Sequence, residues 1–202
     1  MKALLYSMVI SALLFSCSGG NNKTNITTYV RDSVANSTPE MGTYLILALH
    51  KKVLLSTTKE HLFSDSLKKD TFKLVLKGDS LHKSVALFSI ISFKGERIYA
   101  DTFAGTAFAA YTDEDTVFPV AQVEKTIKEG VKSFFTDSLF TTPRIAADEK
   151  SISGSDSTNW EDIKTDKTAI GFQYTNDEVE VRIAYSKKQQ KVLDYWSIEM
   201  GD

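Results

Sequence analysis

The chain has 202 residues, and its 24 lysine and arginine and 26 aspartate and glutamate side chains give a formal net charge of −2 at pH 7. This near-neutral balance argues against a nucleic-acid-binding protein, which needs a basic face and a high pI. Hydrophobic residues make up 42% of the chain and aromatic residues 11%, enough for the packed core of a single domain. Because there is a single cysteine, we expect neither a disulfide nor a thiolate metal site.

The chain begins with a short apolar segment. Residues 3–15 carry no charged side chain and follow Lys2. This run is shorter than the roughly 20 residues that a membrane-spanning helix needs. It matches the apolar core of a secretory signal peptide, which has about 7–15 residues. We therefore expect the N-terminus to direct export.

Cys17 stands where this apolar segment ends. Leu14 and Ser16 precede it in the positions that a leucine and a small residue occupy before an acylated cysteine. The stretch resembles a bacterial lipoprotein signal of the Bacteroidetes type. The resemblance implies that residues 1–16 are removed and that two or three acyl chains on Cys17 anchor the protein stably. The alternatives are an ordinary signal peptide in which Cys17 is incidental, and an uncleaved anchor.

Residues 17–40 are rich in serine, threonine, asparagine and glycine, and we interpret them as a flexible tether that starts at the lipidated Cys17. No acidic residue lies in residues 18–23. By resemblance to known lipoprotein sorting, this favours the outer membrane, with the domain facing the periplasm. Residues 41–202 are expected to form a single globular α+β domain.

The first half of this domain shows strand patterns. Residues 44–49 and 53–55 are apolar, which favours a buried strand. In residues 71–77, Phe72, Leu74 and Leu76 fall on one face and Lys73 and Lys77 on the other, which predicts a half-buried strand. Residues 85–93 and 97–103 flank a lysine–glycine turn and predict an antiparallel hairpin.

One amphipathic helix is predicted after Pro119. Apolar residues recur there at three- and four-residue steps, with glutamates and lysines on the opposite side. They are Val120, Val123, Ile127, Val131, Phe134, Phe135 and Leu139. We expect this helix to end at residues 141–143, where two threonines and a proline follow. Residues 147–168 are polar and predict a long surface loop.

The C-terminal part returns to strands. Apolar residues alternate with polar ones in residues 170–174 and 179–185, and residues 191–197 follow a second polar turn. This pattern predicts a three-stranded meander. The whole chain therefore predicts an α+β fold, in which an antiparallel sheet of hairpins and a C-terminal meander carries one amphipathic helix packed on it. The alternative is a β-sandwich with an inserted helix.

Three stretches together resemble an uncharacterised lipoprotein family of the Bacteroidetes. They are DTFKLVLKGDSLHKSVALFSIISFKGERIYADTFAG, FFTDSLFTTP and GFQYTNDEVEVRIAYSKKQQKVLDY. The resemblance spans most of the chain after the tether. It implies no activity, because none is known for that family.

No catalytic or metal-binding pattern stands out. His50, His61 and His82 lack the spacing of zinc ligands. The acidic residues 113–115 lack the pattern of a calcium loop, and the Ser-Gly-Ser of residues 153–155 lacks the context of a nucleophile elbow. We therefore expect no catalytic residue, no metal and no cofactor.

Aromatic residues are frequent near the C-terminus. Phe172, Tyr174 and Tyr185 fall on predicted core faces, where they would fill space beneath the helix. Trp160 lies in the predicted polar loop, so we expect its side chain to be exposed. Trp160 and Trp196 therefore form the candidate binding surface.

The leading hypothesis is a non-enzymatic, lipid-anchored envelope module. Its partners would be the membrane, through the acyl chains, and an unknown envelope protein, peptide or glycan, but no nucleic acid. One alternative is an envelope hydrolase whose carboxylates are scattered in sequence and lie about 5–9 Å apart in space. Another is a structural lipoprotein that scaffolds a larger complex through an exposed apolar patch.

Overall fold

The computed structural model describes residues 50–109, 118–142, 144–151, 156–176 and 179–199. Several features predicted from the sequence lie outside these ranges, namely the signal peptide, Cys17, the tether, the apolar run at residues 44–49, and the motifs at residues 113–115 and 153–155. Within the ranges that are described, no helix has the length and apolar character needed to cross a membrane.

The first half of the described chain forms a four-stranded antiparallel sheet, called sheet A. Its strands follow one another in space as they do in sequence: β1 (Val53–Leu62), β2 (Lys69–Lys77), β3 (Val85–Ile91) and β4 (Arg97–Ala104). The predicted hairpin is confirmed as β3–β4. Gly95 in its turn adopts a φ of 84°, a conformation that favours glycine.

Alternation of side chains sets the two faces of sheet A. Phe72, Leu74 and Leu76 of β2 are buried as predicted, and Phe88 and Ile90 of β3 are buried beside them. These residues form the inner face. Because successive side chains point to opposite sides of a strand, the residues between them form a second face, called the outer face of sheet A.

A buried carboxylate ties two loops of sheet A together. Asp70 accepts hydrogen bonds from the N–H and hydroxyl groups of Ser64 at 2.6 and 3.0 Å, and from the N–H of Phe93 at 2.9 Å. Buried polar groups are normally satisfied in this way. The β1–β2 loop and the β3–β4 turn are therefore held side by side.

The second half of the chain forms a second antiparallel sheet, called sheet B. Its strands are β5 (Phe140–Thr141), β6 (Gly171–Asn176), β7 (Val179–Ser186) and β8 (Lys191–Glu199), again in sequence order. The predicted C-terminal meander is confirmed as β6–β7–β8. Its inner face buries Phe172, Tyr174, Val181 and Ile183.

Aromatic rings pack the two inner faces against each other. Phe72 of β2 meets Phe172 of β6 nearly edge-on, with ring centroids 5.4 Å apart. Phe88 of β3 meets Tyr174 of β6 in the same way at 5.1 Å. Such contacts stabilise the fold beyond the area that they bury. The α+β fold is confirmed, with its strands divided between two facing sheets.

Helix α1 (Val120–Ser133) follows sheet A and precedes sheet B along the chain. It carries part of the predicted apolar stripe, but Val120 at its start is 53% exposed. Ile127 and Val131 are buried and belong to the core between the sheets. The helix is shorter than predicted. Phe134 and Phe135 follow its last turn and pack their rings on Phe88 and Phe72, at centroid distances of 5.5 and 6.0 Å.

The surface loop predicted for residues 147–168 is wrong in its second half, because Ser157–Thr165 form a further helix, α2. Asp156 caps it by accepting hydrogen bonds from the backbone N–H groups of Thr158 and Asn159. A short acidic residue in this position satisfies N–H groups that the first turn leaves unpaired. Helix α2 packs against β7 and β8 on the side of sheet B that faces away from sheet A.

Candidate functional site

Both tryptophans of the predicted binding surface are buried. Trp160 of α2 has 1% of its surface exposed, and Trp196 of β8 has 5%. With Ile163, Leu193 and Tyr195 they belong to a second hydrophobic cluster, between α2 and sheet B. The expected exposure of Trp160 is therefore wrong, because the polar stretch around it folds into a helix that turns this side chain inward.

Arg182 covers Trp196 from the outside. Its guanidinium lies 3.8 Å from a Trp196 ring centroid, in a cation–π contact. The same guanidinium pairs with Glu180 at 3.0 Å and with Glu149 at 3.4 Å. Two carboxylates and one aromatic ring therefore fix the position of the Arg182 side chain, which indicates a structural role for this residue.

Arg144 lies across the same side of sheet B, above Gly171. It donates to the Tyr195 hydroxyl, to Thr141 Oγ1 at 2.7 Å and to Gln173 Oε1 at 3.1 Å. A Cβ atom at position 171 would collide with the Arg144 side chain, so an alanine there would force Arg144 to move. Burial raises the pKa of Tyr195 to about 12, although Arg144 opposes this shift.

The histidines do not converge on one place. His61 stacks on Phe140 with ring centroids 4.0 Å apart, and His82 Nδ1 lies 3.0 Å from Glu124 Oε1. The hydrogen bond with His82 lowers the pKa of Glu124. In the part of the chain that the structure describes, no group of three or more histidine, cysteine or acidic side chains could hold a metal ion.

A pocket of about 340 Å³ lies between α2 and the β7–β8 turn. The buried Ser186 hydroxyl donates to Asp162 Oδ2 at 2.6 Å, and Gln189 Nε2 donates to the same oxygen at 3.1 Å. The Ser186 hydrogen bond is the main cause of the lowered pKa of Asp162. No histidine is among the residues described as lining this pocket, so Ser186 has no such base beside it.

The outer face of sheet A forms an open groove of about 590 Å³. Its lining includes the aliphatic side chains of Val75, Leu87 and Ile91, together with Val53, which is 49% exposed, among serine, threonine and charged residues. Helix α2 covers the corresponding face of sheet B, whereas among the described residues this face of sheet A is left open as a groove. A concave apolar surface of this size falls in the usual range of ligand sites.

Basic side chains also line the groove. Lys73 and Lys77 of β2 and Arg97 of β4 contribute to its lining. Lys73 is exposed, while Lys77 and Arg97 are half-buried and have contacts of their own. The groove therefore combines aliphatic side chains with three basic groups and one carboxylate, Asp101, an arrangement that suits a partner with both apolar and acidic groups.

Four side chains connect the inner face of β4 to sheet B in a line. Tyr174 of β6 donates to Asp101 Oδ2 of β4 at 2.6 Å. The hydroxyl of Tyr99 lies 2.7 Å from that of Tyr174 and 3.3 Å from Asp194 Oδ1 of β8. Asn176 donates a further bond to Asp101 at 2.8 Å. The line Asp101–Tyr174–Tyr99–Asp194 is called the inter-sheet clasp below.

Burial dominates the electrostatics of the inter-sheet clasp. Burial, with the nearby charge of Asp101, raises the pKa of Asp194 from 3.8 to about 6. The Asp194 residue itself is exposed to solvent. Burial also raises the pKa values of Tyr99 and Tyr174, so both hydroxyls keep their protons at neutral pH.

The clasp brings together two carboxylates that the sequence separates. Carboxylates with separated pKa values can serve as acid and base in hydrolysis. Asp101, however, is occupied by Tyr174 and Asn176, and Asp194 is not among the residues described as lining the groove beside Asp101. This geometry suits a link between the sheets better than a catalytic pair.

One signal in the sequence pointed to the clasp. Tyr99 and Asp101 stand two residues apart and share a face of β4 with the buried Phe103. A carboxylate on such a face needs hydrogen-bond partners. Their identity could not be inferred, because Tyr174 lies 73 residues after Asp101, and Asp194 lies 95 residues after Tyr99.

No family model, curated protein or solved structure matches the chain. The site and its function are therefore argued from the residues of this chain.

Proposed function

We propose that this protein is a lipid-anchored lipoprotein of the cell envelope whose folded part is a non-enzymatic binding module. The outer face of sheet A is its contact surface, and an envelope protein, peptide or glycan is its partner. The observation that carries this proposal is the open groove with aliphatic side chains and basic groups. It takes the place of the tryptophan surface, whose residues are buried.

The anchor is part of the same proposal. Cys17 carries the acyl chains after residues 1–16 are removed, and residues 17–40 tether the domain to the outer membrane, on its periplasmic side. The support is the Leu14, Ser16 and Cys17 pattern after a short uncharged run. The protein would then belong to the uncharacterised Bacteroidetes-type family that its sequence resembles.

The anchor is tested with a Cys17→Ser variant. Wild type and variant are expressed in a bacterial host, labelled with a fatty-acid analogue and fractionated. The wild type should be labelled and sediment with membranes, whereas the variant should be neither labelled nor membrane-bound. If both proteins are unlabelled and soluble, Cys17 is not an anchor.

The groove is tested by photo-crosslinking in cells. A benzophenone amino acid replaces Ala100, which is exposed and lines the groove, or Lys128, which is exposed on α1 and serves as the matched control. We expect a discrete adduct from position 100 and none from position 128. Leu87→Thr, which removes an apolar group from the groove, should weaken that adduct without changing the melting temperature greatly. Equal adducts at both positions, or none at position 100, would contradict the binding surface.

The alternative is an envelope hydrolase, and one observation favours it, namely the approach of Asp101 and Asp194 within the clasp. The test is a panel of chromogenic esters and glycosides with wild type, Asp101→Asn and Asp194→Asn. Hydrolysis by the wild type that both variants lose would support the alternative. Absence of turnover in the wild type supports the binding module.

A further inference from the structure

Arg144 is a half-buried cation that has no carboxylate partner among the described residues. None of the ion pairs that these residues form includes it. Its guanidinium donates instead to neutral oxygens, those of the Tyr195 hydroxyl, Thr141 and Gln173. A guanidinium has five N–H groups, so these three bonds leave two of them unused. Arg144 therefore keeps its charge and part of its hydrogen-bonding capacity for a further group.

The three neighbours of Arg144 supply further hydrogens. Each turns an oxygen towards the guanidinium, so the hydroxyl hydrogens of Tyr195 and Thr141 and the amide hydrogens of Gln173 remain for other acceptors. No described residue takes them. Thr141 and Gln173 are half-buried, whereas Tyr195 is 1% exposed, with Arg144 over its ring. Hydrogen-bond donors therefore outnumber acceptors in this cluster, which suits an anion.

The charges near this cluster leave one positive charge in excess. Glu149 and Glu180 both pair with Arg182, at 3.4 and 3.0 Å. Lys164 of α2 donates to the backbone carbonyl of Glu149 at 2.5 Å and brings a further cation. Arg144, Arg182 and Lys164 therefore face two carboxylates. A partly buried charge is costly when no counter-ion compensates it, and one added carboxylate would balance this one.

We propose that Arg144, with Thr141 and Gln173 beside it, forms a binding site for a carboxylate group on the side of sheet B that faces away from sheet A. The planar guanidinium matches the two oxygens of a carboxylate, and the Gln173 amide supplies a donor next to it. Tyr195 is a positioning residue, because its hydroxyl accepts from Nε and fixes the guanidinium. The site lies on the other sheet from the groove, so neither depends on the other.

The first test is an NMR titration of the wild-type protein with sodium acetate, in which sodium chloride keeps the ionic strength constant. The chain has four arginines, so their side-chain Nε–H signals are few enough to follow one by one. We expect the Arg144 signal and the Gln173 side-chain amide to shift together and to saturate. A shift confined to Arg97 would place the carboxylate in the groove of sheet A and overturn this site.

Variants separate a binding site from general electrostatic attraction. Arg144→Gln should weaken acetate binding, followed on the Gln173 amide, about tenfold or more, because charge-assisted hydrogen bonds are lost. Lys191→Gln is the matched control, since it removes the same charge from an exposed position on β8 and should leave the affinity unchanged. Tyr195→Phe keeps the charge of Arg144 but releases its Nε, and should weaken binding several-fold.

Further probes identify what carries the carboxylate. Glucuronate presents it on a sugar, and N-acetylalanine presents it as the C-terminus of a peptide. Tighter binding of either one than of acetate supports the site and names its source. Sulfate that binds more tightly than all three would overturn the assignment to a carboxylate. The site itself is overturned if the Arg144 signal does not saturate, or if Arg144→Gln and Lys191→Gln weaken binding equally. The wild-type titration decides the matter if Arg144→Gln does not fold.

Discussion

Ser186 of β7 and Asp162 of α2 are joined by a hydrogen bond of 2.6 Å between two buried side chains. Gln189 donates to the same carboxylate at 3.1 Å, and Lys188 Nζ approaches it to 3.7 Å. These contacts fasten α2 to the β7–β8 turn. The apolar contacts of Trp160 are therefore supported by a polar attachment at the end of the helix.

Ser186→Ala should lower the free energy of unfolding by about 1–3 kcal/mol, because a buried carboxylate loses its shortest donor. Urea denaturation measures this change. Ser197→Ala is the control, because it removes a hydroxyl group that is exposed on β8. Similar midpoints for the two variants would show that the Ser186 contact contributes little.

In the Asp162→Asn variant, the free energy of unfolding should fall less at acidic pH than it does in the wild type. The Ser186 hydrogen bond keeps the pKa of Asp162 below 3.8 in the folded protein. This carboxylate therefore contributes stability above that value, and the contribution is lost as the pH falls through the lower, folded value. Unfolding curves recorded below about pH 4 should converge for variant and wild type.

Trp160→Ala should destabilise the fold by about 3–5 kcal/mol, the usual cost of deleting a large buried ring. Trp160→Phe, which keeps a ring in the second cluster, should cost less. Leu67→Ala serves as the control, because Leu67 is 88% exposed, and should change little. Chemical denaturation followed by circular dichroism measures all three. A Trp160→Ala variant of unchanged stability would restore the tryptophan as a candidate for recognition.

Gly171→Ala should destabilise the protein only when Arg144 is present. The added methyl group collides with the Arg144 side chain, which is held by Tyr195, Thr141 and Gln173. Without such a collision, alanine in a strand is no worse than glycine. A double-mutant cycle with Arg144→Ala measures the coupling. Equal costs of Gly171→Ala in the two backgrounds would contradict the steric explanation.

The strands could be predicted because their burial follows local alternation. Phe72, Leu74 and Leu76 show a period of two in the sequence, and the structure buries all three. Helix α2 was missed because only Trp160 and Ile163 among its nine residues are large and apolar, too few to show a helical period. The Asp156 cap was its readable signal.

The candidate sites were harder to predict than the strands, because they depend on how the two sheets face each other. The groove needs Val75 and Leu87 to stay uncovered, which a strand pattern does not reveal. The clasp needs Asp101 and Asp194 to meet through two tyrosines from different sheets. Alternation assigns a residue to a face of its strand but does not identify the partner across the core.

The order of the strands has a consequence for how the chain folds. In both described sheets, each strand pairs with the strand next to it in sequence. Apart from the connection between β5 and β6, which contains α2, the loops that these pairings close are short compared with the chain, which keeps the entropic cost of closure low. Contacts that are local in sequence also favour rapid folding. Each sheet can therefore form from its own half of the chain. The packing of Phe72 on Phe172 then joins two sheets that have already formed.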